Sequence, residues 1–111
     1  MSNKYPIAHV EAIVENCRKS GNPFAQKYTP AHLVRTDYLT VGRHHYLDKD
    51  LVYPGETAVT NITFLTPEVY PKCLWVGKKI QFQEGSRITG YATITKIYNK
   101  ILESSVIGKE D

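Results

Sequence analysis

Lys78-Lys-Ile-Gln-Phe-Gln-Glu-Gly-Ser-Arg-Ile-Thr-Gly-Tyr-Ala-Thr-Ile-Thr-Lys-Ile-Tyr98 decides how this chain folds. On its first arm Lys79, Gln81 and Gln83 alternate with Ile80 and Phe82. On its second arm Ile88, Gly90, Ala92 and Ile94 fall on one side, and Thr89, Tyr91, Thr93 and Thr95 on the other. Successive strand side chains point to opposite faces, so each arm reads as a strand with one apolar face. Glu84-Gly85-Ser86 between them supplies residues that tolerate positive φ, as a hairpin turn requires. A glycine within a strand weakens it, so Gly90 predicts a bulge or a close approach of backbone. A lone hairpin is marginal in water. The remainder of the chain must therefore add strands against its apolar face.

Working outward, the residues on either side supply them. Ala8, Val10, Ala12 and Val14 alternate with His9, Glu11 and Ile13, which predicts a strand over Ile7 to Val14 with the first set inward. A short helix is the rival there; β-branched content and the Ser20-Gly21-Asn22-Pro23 breaker favour the strand. An exposed loop is expected from Arg18 to about Tyr28. Thr29 to Leu39 reads as a second extended segment entered through Pro30, closed by Gly42, with Arg43 to Leu47 pairing back. Tyr53-Pro54-Gly55-Glu56 has the type II turn signature, and Thr57 to Leu65 follows as a long strand ending at Thr66-Pro67. Pro67 to Gly77 is a loop carrying Tyr70, Pro71, Cys73 and Trp75. Asn99 to Asp111 is a docked helix or a loose tail after a barrel over about residues 7–98, and Met1 to Pro6 a frayed lead-in. About six short strands with recurrent turn signals and no sustained helical period predict a single antiparallel barrel or sandwich.

Composition narrows the function classes. A net charge of +3 permits an anionic partner without the clustered charge of a nonspecific nucleic-acid binder. Cys17 and Cys73 are too few for a disulfide framework and have no CxxC spacing, which fits a reducing cytosol. The first residues have no signal-peptide pattern, and no run approaches the ~20 apolar residues of a membrane span, so a cytoplasmic protein is expected. His44 and His45 point to opposite faces of a strand, and with His9 and His32 they have no carboxylate or cysteine at ligand spacing. They read as packing or solvated histidines, with no metal site. Cys17 lacks an orienting third group for nucleophilic catalysis. Gly77-Lys78 is not part of a phosphate loop, because the earlier glycine is absent and no helix follows. No catalytic constellation, cofactor or GTP site is expected.

The order Asn22-Pro23-Phe24, Tyr28-Thr29-Pro30, Leu33-Val34-Arg35-Thr36-Asp37, Tyr53-Pro54-Gly55-Glu56, Thr66-Pro67 and Phe82-Gln83-Glu84-Gly85-Ser86-Arg87-Ile88-Thr89-Gly90 resembles domain 3, the C-terminal barrel of elongation factor Tu. The resemblance covers about Val10 to Ile97. It implies a closed antiparallel six-stranded β-barrel without the GTPase domain, and a binding module acting through protein or tRNA contacts. By position it carries RNA or partner contacts onto Thr36, Glu84 and Gly85. Arg87, Lys78 and Lys79 are candidate cations for the same face, and Tyr70 and Trp75 are aromatic contact candidates in a loop longer than the family's. Gln83 and Thr29 stand where the family has arginines, which removes cationic phosphate contacts and ranks a protein partner above tRNA. A domain-3 mimic that intercepts a toxin or factor gripping elongation factor Tu, an immunity or decoy protein, is the alternative.

Overall fold

The Lys78–Tyr98 hairpin forms, and a closed barrel is built around it. The computed structural model describes residues 8–65 and 70–104, so the expected lead-in at Met1 to Pro6, the Thr66-Pro67 turn and the tail beyond residue 104 lie outside the described residues. Its strands are β1 (Val10–Asn16), β2 (Phe24–Ala25), β3 (Ala31–Arg35), β4 (Tyr38–Tyr46), β5 (Leu51–Val52), β6 (Thr57–Phe64), β7 (Lys79–Glu84) and β8 (Arg87–Ile97). Six of them close in the order β1-β6-β4-β3-β7-β8, with β8 returning to β1, while β2 and β5 form a small separate ribbon. Every pairing between these strands is antiparallel. The expected closed, six-stranded antiparallel barrel is thus the observed fold. Among the described residues no helix is long and apolar enough to cross a membrane.

Alternation determines which side chains fill the interior. Val10, Ala12 and Val14 of β1 are buried, as are Ile62 and Phe64 of β6, Ile80 and Phe82 of β7, and Ala92 and Ile94 of β8. Burying each of the larger groups contributes roughly 1.5–3 kcal/mol. The Tyr53–Glu56 turn forms as read: Glu56 N–H donates to the Tyr53 carbonyl at 2.9 Å, and Gly55 has φ 90°.

The sequence reading needs four corrections. The first strand runs from Val10 to Asn16 rather than Ile7 to Val14, because Asn16 is drawn in to donate to the Val52 carbonyl at 2.8 Å. The loop from Arg18 to Tyr28 contains β2, whose Phe24 is buried against Phe82. Thr29 to Leu39 is not one strand closed at Gly42. The chain turns at Thr36-Asp37, and β4 passes straight through Gly42. That glycine serves close packing, since a Cβ there would lie 2.9 Å from a Phe64 ring carbon and 3.0 Å from His32 Cε1. Finally, Ile88 does not share the inward face. The β7–β8 register shifts between Phe82 and Gln83, so that Phe82 pairs with Gly90 and Gln83 with Ile88. The extra residue, Thr89, turns inward and leaves Ile88 42% exposed. The bulge that Gly90 predicted is present, and it reverses the face of the residues before it.

Candidate functional site

The structure divides the predicted site residues between two ends of the barrel. β7 separates Lys78 from the Glu84 turn by its six residues, roughly 17–20 Å of extended chain. Thr36, Trp75 and Lys78 meet at one end, and Glu84, Gly85 and Arg87 lie at the other. Lys79 stands apart from both groups on the outer face of β7, where it pairs with Glu15 at 3.6 Å and lies over the Tyr91 ring.

At the turn, Gly85 has φ 59°, the left-handed conformation the sequence anticipated. The Glu84 carboxylate is used within the fold: it accepts from the Tyr28 hydroxyl at 2.7 Å and forms an ion pair with Arg18. The Tyr28 hydrogen bond above all, helped by the Arg18 charge and hydrogen bond, holds its carboxyl below the usual carboxylate range against the opposing effect of burial. Arg18 in turn lies over the Phe24 and Tyr28 rings and donates to the Asn22 carbonyl. Gln83, standing where the resemblance expects an arginine, donates to the Gly85 carbonyl at 2.7 Å and braces the turn. Arg87 is exposed and makes no ion pair among the described residues. Arg18 carries no sequence signal that places it at this end, since Glu84 lies 66 residues away in the chain.

The opposite end is a cavity of about 340 Å³ lined by Arg35, Thr36, Pro71, Lys72, Cys73, Trp75 and Lys78. Arg35 ends β3, and Thr36 follows in the turn. The other wall is the loop over residues 70–78, which is tied to the barrel at three places. Tyr70 is 1% exposed and hydrogen-bonds Thr40 Oγ1 at 3.1 Å, with its ring against Tyr38 and Phe64. Its expected role as a surface contact is therefore corrected: it anchors the loop from inside. Leu74 is fully buried, and it exchanges backbone hydrogen bonds with Leu102 and Ser104 beside the 3-10 turn Lys100–Leu102. Gly77 N–H donates to the Ile94 carbonyl at 2.7 Å, and Ile94 N–H to that of Lys78.

Between these anchors Lys78 reaches back under the loop. Its ammonium donates to the Val34 and Cys73 carbonyls, both at 2.7 Å, and lies 4.6 Å from the centre of the Trp75 ring. Burial lowers its pKa, the nearby Arg35 charge adds to the lowering, and Cys73 opposes it. Lys72 holds φ 60°, a left-handed backbone that is costly for a lysine and persists where neighbours fix it, here its N–H to the Ile101 carbonyl. Trp75 is half-buried where it lines the cavity. Sequence reasoning found Trp75 and Lys78 but missed Lys72 and Cys73, which had no motif to mark them.

His32 and His44 are packing groups, and His45 is exposed. His44 points inward and His45 outward, as alternation requires. His32 and His44 are fully buried with their Nε2 atoms 2.9 Å apart, and His44 Nδ1 lies 3.0 Å from the Tyr46 hydroxyl. His32 Nδ1 ends this chain buried and without a well-aligned hydrogen bond. Burial pushes His32 down to about 4, partly offset by the nearby Thr40 and Pro30 carbonyls, and burial followed by the His32 charge lowers His44 as well. Nitrogens in direct contact leave no room for an ion between them, and no group of three ligating side chains occurs among the described residues. Cys17 is exposed, and burial of its sulfur together with the Glu15 charge raises its pKa, the opposite of an activated thiol. No protein-family model matches this sequence.

Proposed function

We propose that this barrel is a non-catalytic binding module of the kind represented by domain 3 of elongation factor Tu, and that it acts through a protein contact made at its Trp75 end. The reading rests on the place of Trp75: a large, half-buried aromatic residue lining a cavity, on a loop held firmly by Tyr70 and Leu74. Rigid, partly desolvated tryptophans are the residues that most often dominate binding energy at protein interfaces. The opposite turn favours the same ranking. Arg18 there is already paired with Glu84, and the expected arginines are Gln83 and Thr29, so of the predicted cations Arg87 alone faces RNA phosphates at that end. The raised pKa values of both thiols, Cys73 through burial and Cys17 as above, support a non-catalytic role, and the reading includes no guanine nucleotide.

A pull-down from lysate, analysed for protein and RNA and repeated with Trp75→Ala, tests the proposal. Protein capture should weaken by about thirtyfold in the variant, the scale of a hot-spot residue worth about 2 kcal/mol. Capture of tRNA that is salt-sensitive, indifferent to Trp75→Ala and abolished by Arg87→Ala would reverse the ranking, and GTP hydrolysis by the purified protein would end the non-catalytic reading.

A further inference from the structure

We infer that the cavity between Arg35, Lys72, Lys78 and Trp75 is a docking site for a carboxylate-rich segment of a protein partner. The inference rests on the protein-contact reading above and specifies the partner's chemistry.

Three cations converge on one cavity, and none of the described residues lining it is acidic. Lys78 is the central one. Its ammonium has three donors, and two are taken by the Val34 and Cys73 carbonyls. Carbonyl dipoles solvate the charge without neutralising it, and no described carboxylate pairs with Lys78 or Lys72. A partly buried charge with no counter-ion is an unfavourable arrangement that an incoming anion relieves. Arg35 has a described acidic neighbour, Asp37 at 3.3 Å, but both side chains are more than half exposed. Such a pair is worth little, so the guanidinium can be recruited by a better-placed carboxylate, which it binds through two parallel N–H donors.

Carboxylates on a peptide fit better than a nucleic-acid backbone. Phosphate tracking requires a row of cations along a surface. Here the cations close on a single cavity with Asp37 at its rim. Lysines elsewhere on the barrel wall are already matched, Lys79 to Glu15 and Lys96 to Glu11. Exposed apolar side chains also flank the cavity: Val76, beside Trp75, is 58% exposed, and Ile101, whose carbonyl holds Lys72, is 42% exposed. Acidic residues interspersed with leucines match both the charge and these flanks.

Trp75 is the only tryptophan, so its emission reports the cavity directly. The probe is an acetylated, amidated hexapeptide of sequence Glu-Leu-Glu-Glu-Leu-Glu, set against its Gln-Leu-Gln-Gln-Leu-Gln counterpart and a uridine oligonucleotide. The expected result is a saturable change in emission with the acidic peptide, weakening as salt rises. Its affinity should exceed that of the glutamine peptide by about tenfold or more. The double variant Arg35→Gln/Lys72→Asn, whose side chains are exposed and whose fold is checked by thermal melting, should lose a similar factor. Asparagine tolerates the backbone at Lys72. No saturable change at millimolar peptide, equal response to the glutamine peptide, unchanged binding in the double variant, or displacement of the peptide by the oligonucleotide would each overturn the inference. Peptide binding as expected with no Trp75-dependent protein capture would sink the functional proposal and leave the site standing. Trp75-dependent capture without peptide binding would do the reverse.

Discussion

The barrel should lose stability between pH 7 and pH 5, well above the range where carboxylates titrate, because of His32 and His44. Both rings are fully buried, packed against Phe64, Phe82, Tyr28 and Tyr46, with no described carboxylate in contact. In the unfolded chain a histidine takes up a proton near pH 6.5. In the fold His32 does so only at about 4, and His44 well below its ordinary value. The folded pKa is depressed, so the unfolded state binds more protons as pH falls. Stability is therefore full above about 6.5 and declines until the folded pKa is reached. The slope is about 1.4 kcal/mol per pH unit for each histidine, so between pH 6.5 and 5 His32 alone removes about 2 kcal/mol. His44 acts in the same direction and the same window. Glu84, whose carboxyl is held below its usual range, adds a further loss only as pH falls below its unfolded value near 4.5.

Urea unfolding followed by Trp75 emission at pH 7.5, 6.0 and 5.0 measures this, the extrapolated stability being compared across pH. The double variant His32→Leu/His44→Phe removes both titrations. It leaves the Tyr46 hydroxyl without its ring partner, at a cost of about 1–3 kcal/mol that does not vary with pH in this range. Its stability should be nearly flat from pH 7.5 to 5. A wild-type protein equally stable at pH 7.5 and 5, or a slope that survives in the double variant, would refute the reasoning.

The remaining predictions concern the organising hairpin. Gly90→Ala places a Cβ inside the radius of the Glu15 carbonyl oxygen and 2.5 Å from Phe82 Cζ, where the β1–β8 pairing prevents retreat. It should cost about 3 kcal/mol or more by chemical denaturation, and an unaltered midpoint would contradict the packing described. Gly85→Val should cost about 1–3 kcal/mol from backbone strain alone, since a Cβ there meets nothing within 4 Å. Gly85→Asn should cost little, and equal melting temperatures for the two variants would rule out that cause. Glu84→Gln breaks the pairing with Arg18 at a half-exposed site and should cost about 1 kcal/mol or less. A melting temperature lowered by more than 10 °C, well over the 4–8 °C that 1 kcal/mol shifts a domain of this size, would mean that the turn depends on this pair more heavily than its exposure suggests.

Features that depend on a few adjacent residues could be read from the sequence. The β7–β8 hairpin, the Tyr53–Glu56 turn, the inward Val10, Ala12 and Val14 of β1 and the all-β class follow from alternation and turn chemistry, which by themselves leave barrel and sandwich open. Gly42 was misread because a strand glycine can mark either an end or a crowded interior position, and only the nearness of Phe64 and His32 decides between them. Ile88 was misread because one bulge residue reverses a period-two pattern, and Gly90 marks that bulge without fixing which residue it displaces. The candidate site was half legible. An aromatic loop and nearby lysines stand out, whereas the burial of Tyr70 depends on Thr40, Tyr38 and Phe64, which lie on strands distant in sequence.

The two ends of the hairpin dispose of charge in opposite ways, and the difference bears on which end meets a partner. At the turn, Arg18, Tyr28, Thr89 and Glu84 form a set in which each polar group answers another, and the exposed Arg87 stands beside it without an ion pair among the described residues. At the other end Lys78 is desolvated without a described counter-ion, and Lys72 holds a left-handed backbone. Neither arrangement helps the isolated barrel fold: the first depresses the lysine pKa, and the second costs of order 1–3 kcal/mol. Lys78→Met keeps an unbranched apolar side chain and removes the desolvated charge that lies against the Trp75 ring, so it separates the two roles. The variant gives up two hydrogen bonds to carbonyls, each worth about 1.5–3 kcal/mol when the donor is charged, in return for no longer burying that charge. If the ammonium is kept for binding, Lys78→Met should stay within about 1 kcal/mol of the parent in urea unfolding, because these terms oppose one another. It should also lose the acidic peptide. A loss of several kcal/mol with peptide binding intact would make Lys78 a strut of the loop and leave Arg35 and Lys72 to hold the anion.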